Sequence, residues 1–132
     1  MADAVTSQTL QDGDKVAVMK FTIISDGSGE SAVKKVDVSA LQTQSGSGAS
    51  CTGVTIDCIW YECNGMSVDL LWDASTDVIA WTLSGYGYFD FRSAGPLINN
   101  ASSPTGDIMF TTTGAGSGDR YAVMLKMTKS YE

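Results

Sequence analysis

Histidine is absent from the 132 residues of this chain. The absence excludes every catalytic arrangement in which histidine activates a serine or cysteine, and every metal site built on imidazole. A zinc site would need the thiolates of all three cysteines and a carboxylate as well. The cysteines are Cys51, Cys58 and Cys63, and no two of them form a C-x-x-C pair. We expect them to be reduced and half-buried, and a disulfide that forms later stays an open alternative.

Basic residues are also scarce, and none lies between Lys35 and Arg92. The net charge is −7, and nucleic acids and anionic membranes both select cationic surfaces. Neither is therefore expected as a partner. Excess acidity is typical of a protein that stays soluble at high local concentration. Seven carboxylates fall in the interval that lacks cations: Asp37, Asp57, Glu62, Asp69, Asp73, Asp77 and Asp90.

Long apolar runs are missing, so no segment has the length needed to cross a bilayer as a helix. Residues 1–10 contain no Lys or Arg and no apolar stretch, which disfavours a secretory signal. The sequence thus predicts a protein that is made and used without export through the secretory pathway.

The residues that are abundant favour β-structure. Fourteen glycines, two prolines and many Thr, Ser, Val and Ile are typical of short strands joined by turns. A chain of this length has room for one core. We predict an all-β fold, a single-domain antiparallel β-sandwich or jelly roll of about eight short strands, over residues 15–132. Residues 1–14 are polar and lack a period, and they are predicted to form an N-terminal arm.

Asn64-Gly65, between two apolar runs, predicts a type I′ hairpin turn. In that register Tyr61 lies opposite Val68, and Trp60 lies opposite Asp69. One hairpin face should then point to the core. Its predicted residues are Asp57, Ile59, Tyr61, Cys63, Met66, Val68, Leu70 and Trp72.

Alternation and turn signals place further strands later in the chain. Residues 77–83 and 86–91 are predicted to be separate strands around Gly85. Residues 107–113 and 119–129 are predicted to form a final hairpin around the glycine-rich segment 114–118.

No residue set carries a catalytic signature, so no catalytic, cofactor-binding or metal-binding residues are predicted and the chain is not expected to be an enzyme. Paired carboxylates could serve glycoside hydrolysis, but those of the middle region fit a solvated strand face better. The glycine-containing segments 12–14, 26–30 and 114–118 lack the rest of a calcium or phosphate motif and are interpreted as turns.

Aromatic and apolar residues that alternation turns outward are the remaining candidates for function. They could contact a partner subunit, stack on sugar rings or be covered by a second sheet. The predicted contact set is Val5, Leu10, Trp60, Leu71, Tyr86 and Tyr88.

The chain resembles a family of small virion structural proteins of tailed bacteriophages, along nearly its whole length. The resemblance is carried by MADAVTSQTLQDGDKVAVMKFTIISDGSGES, VKKVDVSAL, CTGVTIDCIWY, GMSVDLLWD, GDIMFTTTGAGSGDRY and VMLKM. It implies a multi-copy component of the particle, a decoration or cement protein on the capsid exterior. The implied partners are the major capsid protein, copies of the chain itself, or both, so a homo-oligomer on the particle is expected.

Two other functions stay open from the residues. One is a tail-tube or connector subunit, in which an acidic face lines a DNA channel. The other is a carbohydrate-binding β-sandwich module of a tail or fibre, which predicts a groove with Trp or Tyr rings beside Asp or Asn.

Overall fold

The structure, a computed structural model, describes residues 4–13, 15–27, 30–43, 46–93, 95, 97–99, 101 and 104–131. The side chains of Ala4, Val5, Asp26 and Pro104 lie outside this description. Seven strands and one 3₁₀ turn occur in the described part: β1 Ala4–Asp12, β2 Val16–Asp26, β3 Val33–Val36, the turn Val38–Ala40, β4 Gly53–Ala74, β5 Val78–Asp90, β6 Pro104–Thr113 and β7 Ser117–Ser130. The all-β prediction is confirmed. No described helix is long and apolar enough to cross a membrane.

All strand pairs are antiparallel and belong to one curled sheet in the order β1-β2-β7-β4-β6-β3, with β5 also paired to β4. The first half of β4 pairs with β7 and the second half pairs with β6. The sheet therefore folds over into two layers. The β7 layer contains β1, β2, β7, the start of β4 and the end of β5; the β6 layer contains β3, β6, the end of β4 and the start of β5.

The fold-over occurs where β4 passes through Asn64-Gly65. Gly65 has a φ of 84°, whereas Asn64 has no positive φ. A type I′ turn needs positive φ at both positions. The predicted hairpin is therefore wrong: β4 continues through an irregularity in the ladder, and the chain reverses only after Ala74. Gly85 of β5 also has a positive φ, 69°, at the same level of the sandwich.

The predicted strand register is also wrong, because it depended on that hairpin. Tyr61 lies opposite Gly87 and Val123, and Trp60 lies opposite Tyr88 and Met124. The two strands predicted around Gly85 are one continuous strand, β5. The predicted final hairpin is also wrong, because β6 and β7 each pair with a different half of β4 and not with each other.

The predicted division of β4 into two faces is largely correct. Side chains predicted to face the core are buried, and rings from the two layers meet between them. Phe21 of the β7 layer contacts Phe110 of the β6 layer edge-on at 5.3 Å between ring centroids. The buried members of the predicted set are Asp57, Ile59, Cys63, Met66, Val68, Leu70 and Trp72, with Tyr61 packed against them.

The segment predicted as a free arm contains β1, which is hydrogen-bonded to β2. Residues 6–11 are all exposed because β1 is the outermost strand of the β7 layer, which explains the lack of an apolar period. Asp12 at its end forms an ion pair with Lys129, whose side chain is fully buried. The Lys129 ammonium also donates to the carbonyl oxygens of Gly13 and Gln42. Burial disfavours its charge, but hydrogen bonds to Asp12 and Tyr131 outweigh burial, and the Lys129 pKa is raised.

Candidate functional site

An aromatic pair stands on the outward surface of the β7 layer. Trp60 of β4 and Tyr88 of β5 lie directly opposite each other, and their rings stack with centroids 4.9 Å apart and planes inclined by 25°. In the next row Glu62 lies opposite Tyr86, whose side chain is 83 % exposed. Tyr88 is 47 % exposed. Aromatic side chains that are grouped together and exposed to solvent on a folded domain mark a contact surface.

Alternation explains why these side chains share one surface. Ile59 and Cys63 point into the core, so Trp60 and Glu62 point outward. On β7, buried Val123 turns its neighbours Ala122 and Met124 outward in the same way. We call this surface the aromatic face; its outward residues are Trp60 and Glu62 of β4, Tyr86 and Tyr88 of β5, Arg120, Ala122, Met124 and Lys126 of β7, and Lys20, Thr22 and Ile24 of β2.

A shallow groove crosses the aromatic face beside Trp60. It has a volume of about 280 Å³ and is lined mainly by apolar atoms, with Lys20 and Glu62 among its lining residues. A second depression of about 290 Å³, which includes Arg120, shares Glu62 and Ala122 with the first. Ala122 has a small side chain and lies where the two depressions adjoin. The groove thus consists of two adjoining depressions, with Trp60 on one side and charged residues along it.

Tyr88 is held in place from below. Its hydroxyl donates to the Cys58 sulfur at 3.7 Å, and the Cys58 thiol lies 3.7 Å from a carboxylate oxygen of Asp90. This contact with Cys58 raises the Tyr88 pKa, so the phenol stays protonated. Asp90 is itself fixed by Arg92, which donates to both of its oxygens at 2.9 and 2.8 Å and holds the Asp90 pKa well below its usual range. Packing and hydrogen bonds thus preset the Tyr88 ring.

The described residues offer little for bond-breaking chemistry. No group of three or more Cys, Asp or Glu side chains among them is placed to hold a metal ion. The three cysteines are buried and free. Burial, with the nearby Glu62 charge, raises the pKa of Cys63 to about 11, so at neutral pH it is a thiol and not a nucleophilic thiolate.

A second aromatic cluster lies at the β5 side of the sandwich. Phe89 stacks on Tyr61 at 5.6 Å between centroids, and Trp81 meets both Phe89 and Phe91 edge-on at 5.3 and 5.0 Å. Phe91 is buried beneath the other rings. An opening of about 410 Å³ beside them is larger than either depression of the aromatic face. Because these rings pack mainly on each other and on the core, we assign the cluster to closing the sandwich.

The structure brings together half of the contact set predicted from the sequence. Trp60, Tyr86 and Tyr88 lie together on the aromatic face, and Trp60 lines the groove. Leu71 lies on the β6 layer, opposite Ile79 and Met109, and cannot reach them. Leu10 is 47 % exposed at an irregularity in β1, and the side chain of Val5 lies outside the described residues.

The groove residues from β2 and β7 were missed by the sequence reasoning: Lys20, Thr22, Ile24, Arg120, Ala122 and Met124. Alternation within each strand predicts which of them point outward. The pairing of β2 with β7 and of β7 with β4 was the missing information, since these strands are about a hundred and about sixty residues apart in sequence.

No family model matches the chain, and no curated protein matches it. Among solved structures it is similar to a variant of a family 29 carbohydrate-binding module, with 11 % identity over 95 % of this chain and 91 % of that one, at a TM-score of 0.43. It is also similar to the CBM22-1 and GH10 modules of Clostridium thermocellum xylanase 10B in complex with xylohexaose, with 9 % identity over 98 % of this chain and 26 % of that one, at 0.43. A cupin domain from Bordetella pertussis gives 10 % identity over 98 % and 97 % of the two chains, at 0.35. A likeness at these TM-scores leaves the function to be argued from the side chains of this chain.

Proposed function

We propose that this chain is a non-catalytic binding module that holds a saccharide chain in the groove of the aromatic face. The observation that carries the proposal is the preset Trp60–Tyr88 stack, which borders an elongated groove with charged residues along it. The sequence associated a carbohydrate-binding module with aromatic rings beside Asp or Asn; here Trp60 has Glu62 and Lys20 beside it instead.

The two kinds of groove residue match the two kinds of sugar surface. A pyranose ring has an apolar face of C–H groups, which packs well on an aromatic ring. Its hydroxyl groups around the rim need hydrogen-bond partners, and Glu62 can accept while Lys20 and Arg120 can donate. Ligand sites in general combine an apolar lining with a few placed polar groups.

The shape of the groove favours a chain over a single sugar. Trp60 lies opposite Met124, and Arg120 lies four residues before Met124 on β7. At about 3.4 Å per residue the groove therefore extends by about 14 Å along the strand. It is shallow and open at its ends, so a polymer can lie across it.

The first prediction is that Tyr86→Ala and Trp60→Ala each weaken saccharide binding. A ring that stacks on a ligand contributes like an interface hot spot, about 2 kcal/mol, so the dissociation constant should rise about tenfold or more for Trp60→Ala. Retardation in native gels that contain a panel of soluble polysaccharides measures this effect and identifies the preferred sugar at the same time.

Ile79→Ala is the matched control, because Ile79 is 54 % exposed but lies on the β6 layer. Tyr86 makes no ring contact among the described residues, so Tyr86→Ala separates loss of binding from loss of folding. Thermal melts of all three variants complete that check. Retardation by no polysaccharide, or equal retardation of wild type and both aromatic variants, would contradict the proposal.

A second candidate is a virion structural protein, a capsid decoration protein or alternatively a tail-tube subunit. The observation that favours it is β1, an outermost strand whose residues 6–11 are all exposed and whose Leu10 is 47 % exposed. An open strand edge is a template for pairing with another chain. A decoration protein would use such an edge against the major capsid protein or copies of itself.

This second candidate predicts that the chain is a stoichiometric component of purified phage particles. Mass spectrometry of gradient-purified particles should find it in many copies, and an antibody raised against the isolated protein should label intact heads in electron micrographs. Label on tails would favour the tail-tube alternative. Particles from which the chain is absent would exclude both.

A further inference from the structure

The distribution of positive charge is unusual for so acidic a protein. Of the eight Lys and Arg residues, four form ion pairs within 4.0 Å: Lys34, Lys35, Arg92 and Lys129. Among the described residues, none of the other four has a carboxylate within that distance. Three of these four, Lys20, Arg120 and Lys126, lie on the aromatic face, and the fourth is Lys15.

The carboxylates near this face are mostly engaged already. Asp90 is bound by Arg92, and the buried Asp57 accepts a hydrogen bond from Thr128 at 2.6 Å. Glu62 remains, beside the middle of the groove. Among the described residues, unpaired cations therefore outnumber unpaired anions on this face, although the net charge of the chain is −7.

Lys20 and Arg120 line the groove, and Lys126 lies on the same face beyond it. Arg120 and Lys126 are six residues apart on β7, which corresponds to about 20 Å along the strand. Lys20 stands between them on β2, opposite Met124. All three flank the aromatic stack. Charges spaced in this way suit a ligand that repeats its own charge along a chain.

We infer that the saccharide bound by the aromatic face is anionic, a polysaccharide that carries carboxylate or sulfate groups. The inference rests on the proposed function and names its ligand class. Sugar rings stack on Trp60 and Tyr86, while the acidic substituents lie against Lys20, Arg120 and Lys126. Arginine and lysine both donate to carboxylate and sulfate oxygens, and Arg120 can do so with two parallel bonds.

A nucleic acid fits this face less well than an acidic polysaccharide. DNA carries one charge per about 1.7 Å of duplex and is recognised by dense basic surfaces. Three cations on a molecule of net charge −7 offer little against that density. The acidic groups of a polysaccharide are spaced more widely than the phosphates of DNA. The acidic remainder of this protein therefore repels a polysaccharide less than it repels DNA.

The test compares wild type with the variant Lys20→Glu/Arg120→Glu/Lys126→Glu. The probes are polygalacturonate (carboxylate only), dextran sulfate (sulfate only), neutral galactomannan and an oligo(dT) strand, each measured by calorimetry at 20 and 300 mM NaCl. Lys15→Glu is the control for a single charge reversal, because Lys15 is exposed and lies before β2, off the aromatic face. Thermal melts confirm that both variants fold.

We expect wild type to bind polygalacturonate, dextran sulfate or both, and the preferred one identifies the acidic group. The affinity of the triple variant should fall about tenfold or more, because three attractive surface charges are removed and three repulsive ones take their place. Lys15→Glu should bind like wild type, and 300 mM NaCl should weaken binding.

Other outcomes separate the two proposals. Binding of galactomannan alone, lost in Trp60→Ala, would overturn the anionic ligand and leave the saccharide module standing. Binding of no polymer would overturn both. Oligo(dT) bound as tightly as the acidic polysaccharides, with the same loss in the triple variant, would replace the saccharide by a single-stranded nucleic acid. Acidic binding that survives in the triple variant would place the site elsewhere.

Discussion

Replacing Gly106 by alanine is expected to lower the free energy of unfolding by about 3 kcal/mol or more. Gly106 has a φ of 92°, and a Cβ atom there would lie 2.1 Å from the carbonyl oxygen and 2.9 Å from the carbonyl carbon of Thr52. Both are backbone atoms. Thr52 cannot withdraw freely, because its amide donates to the carbonyl oxygen of Ser130 at 2.8 Å. The clash therefore adds to the strain of a left-handed alanine.

Urea unfolding of Gly106→Ala beside Gly53→Ala measures this effect. Gly53 opens β4, has no positive φ, and has open space where a Cβ would lie. Its substitution should leave the unfolding free energy within about 0.5 kcal/mol of wild type. Equal midpoints for the two variants would show that the Thr52 backbone can move away from position 106, against this prediction.

Glu30→Ala is expected to cost about 3 to 5 kcal/mol of stability. Glu30 precedes β3 and pairs with Lys35, and their side chains are only 4 % and 2 % exposed. Its other carboxylate oxygen accepts from the Tyr121 hydroxyl at 2.6 Å. Removing the carboxylate leaves a buried ammonium without its partner, and the desolvation cost of that charge is then uncompensated.

Two comparisons separate a buried unpaired charge from loss of packing. The double variant Glu30→Ala/Lys35→Met removes the stranded ammonium, so it should recover much of the loss in urea unfolding. Asp90→Ala breaks the exposed pair with Arg92, which solvent screens, and should lower stability much less than Glu30→Ala. If Glu30→Ala costs no more than Asp90→Ala, the buried pair does not have the role assigned to it.

Which side chains face the core could be predicted from the sequence, because alternation is a property of each strand alone. Ile59, Cys63, Met66 and Val68 were placed correctly even though their partners were not. Ile59 and Cys63 face inward before the corner and Met66 and Val68 after it. The irregularity at Asn64-Gly65 keeps Cys63 and Met66 on the same side, as a two-residue hairpin would. The two structures therefore produce the same burial pattern, and burial could not distinguish them.

The conformation at Asn64-Gly65 could not be predicted from the local sequence. Asn-Gly permits a hairpin but does not require one, and at this site β7 and β6 extend the pairing of β4 on both sides of the glycine. Tertiary pairing over dozens of residues outweighed the local preference.

The candidate site also has one part that could be predicted from the sequence and one part that could not. Outward aromatic residues of β4 and β5 were identifiable, since these two strands are neighbours in the chain. Lys20 and Arg120 are a hundred residues apart, and only the central position of β7, between β2 and β4, brings them to one face. Because the net charge of the chain is strongly negative, its composition also concealed a local cluster of cations.

The corner at which β4 and β5 pass from one layer to the other has a mechanical consequence. Two strands hydrogen-bonded in both layers act as continuous braces, so the layers cannot slide or part without breaking the ladders within them. The groove is built on strands of this braced body and not on loops. A ligand would thus meet a preorganised platform, and little conformational entropy of the backbone would be lost on association.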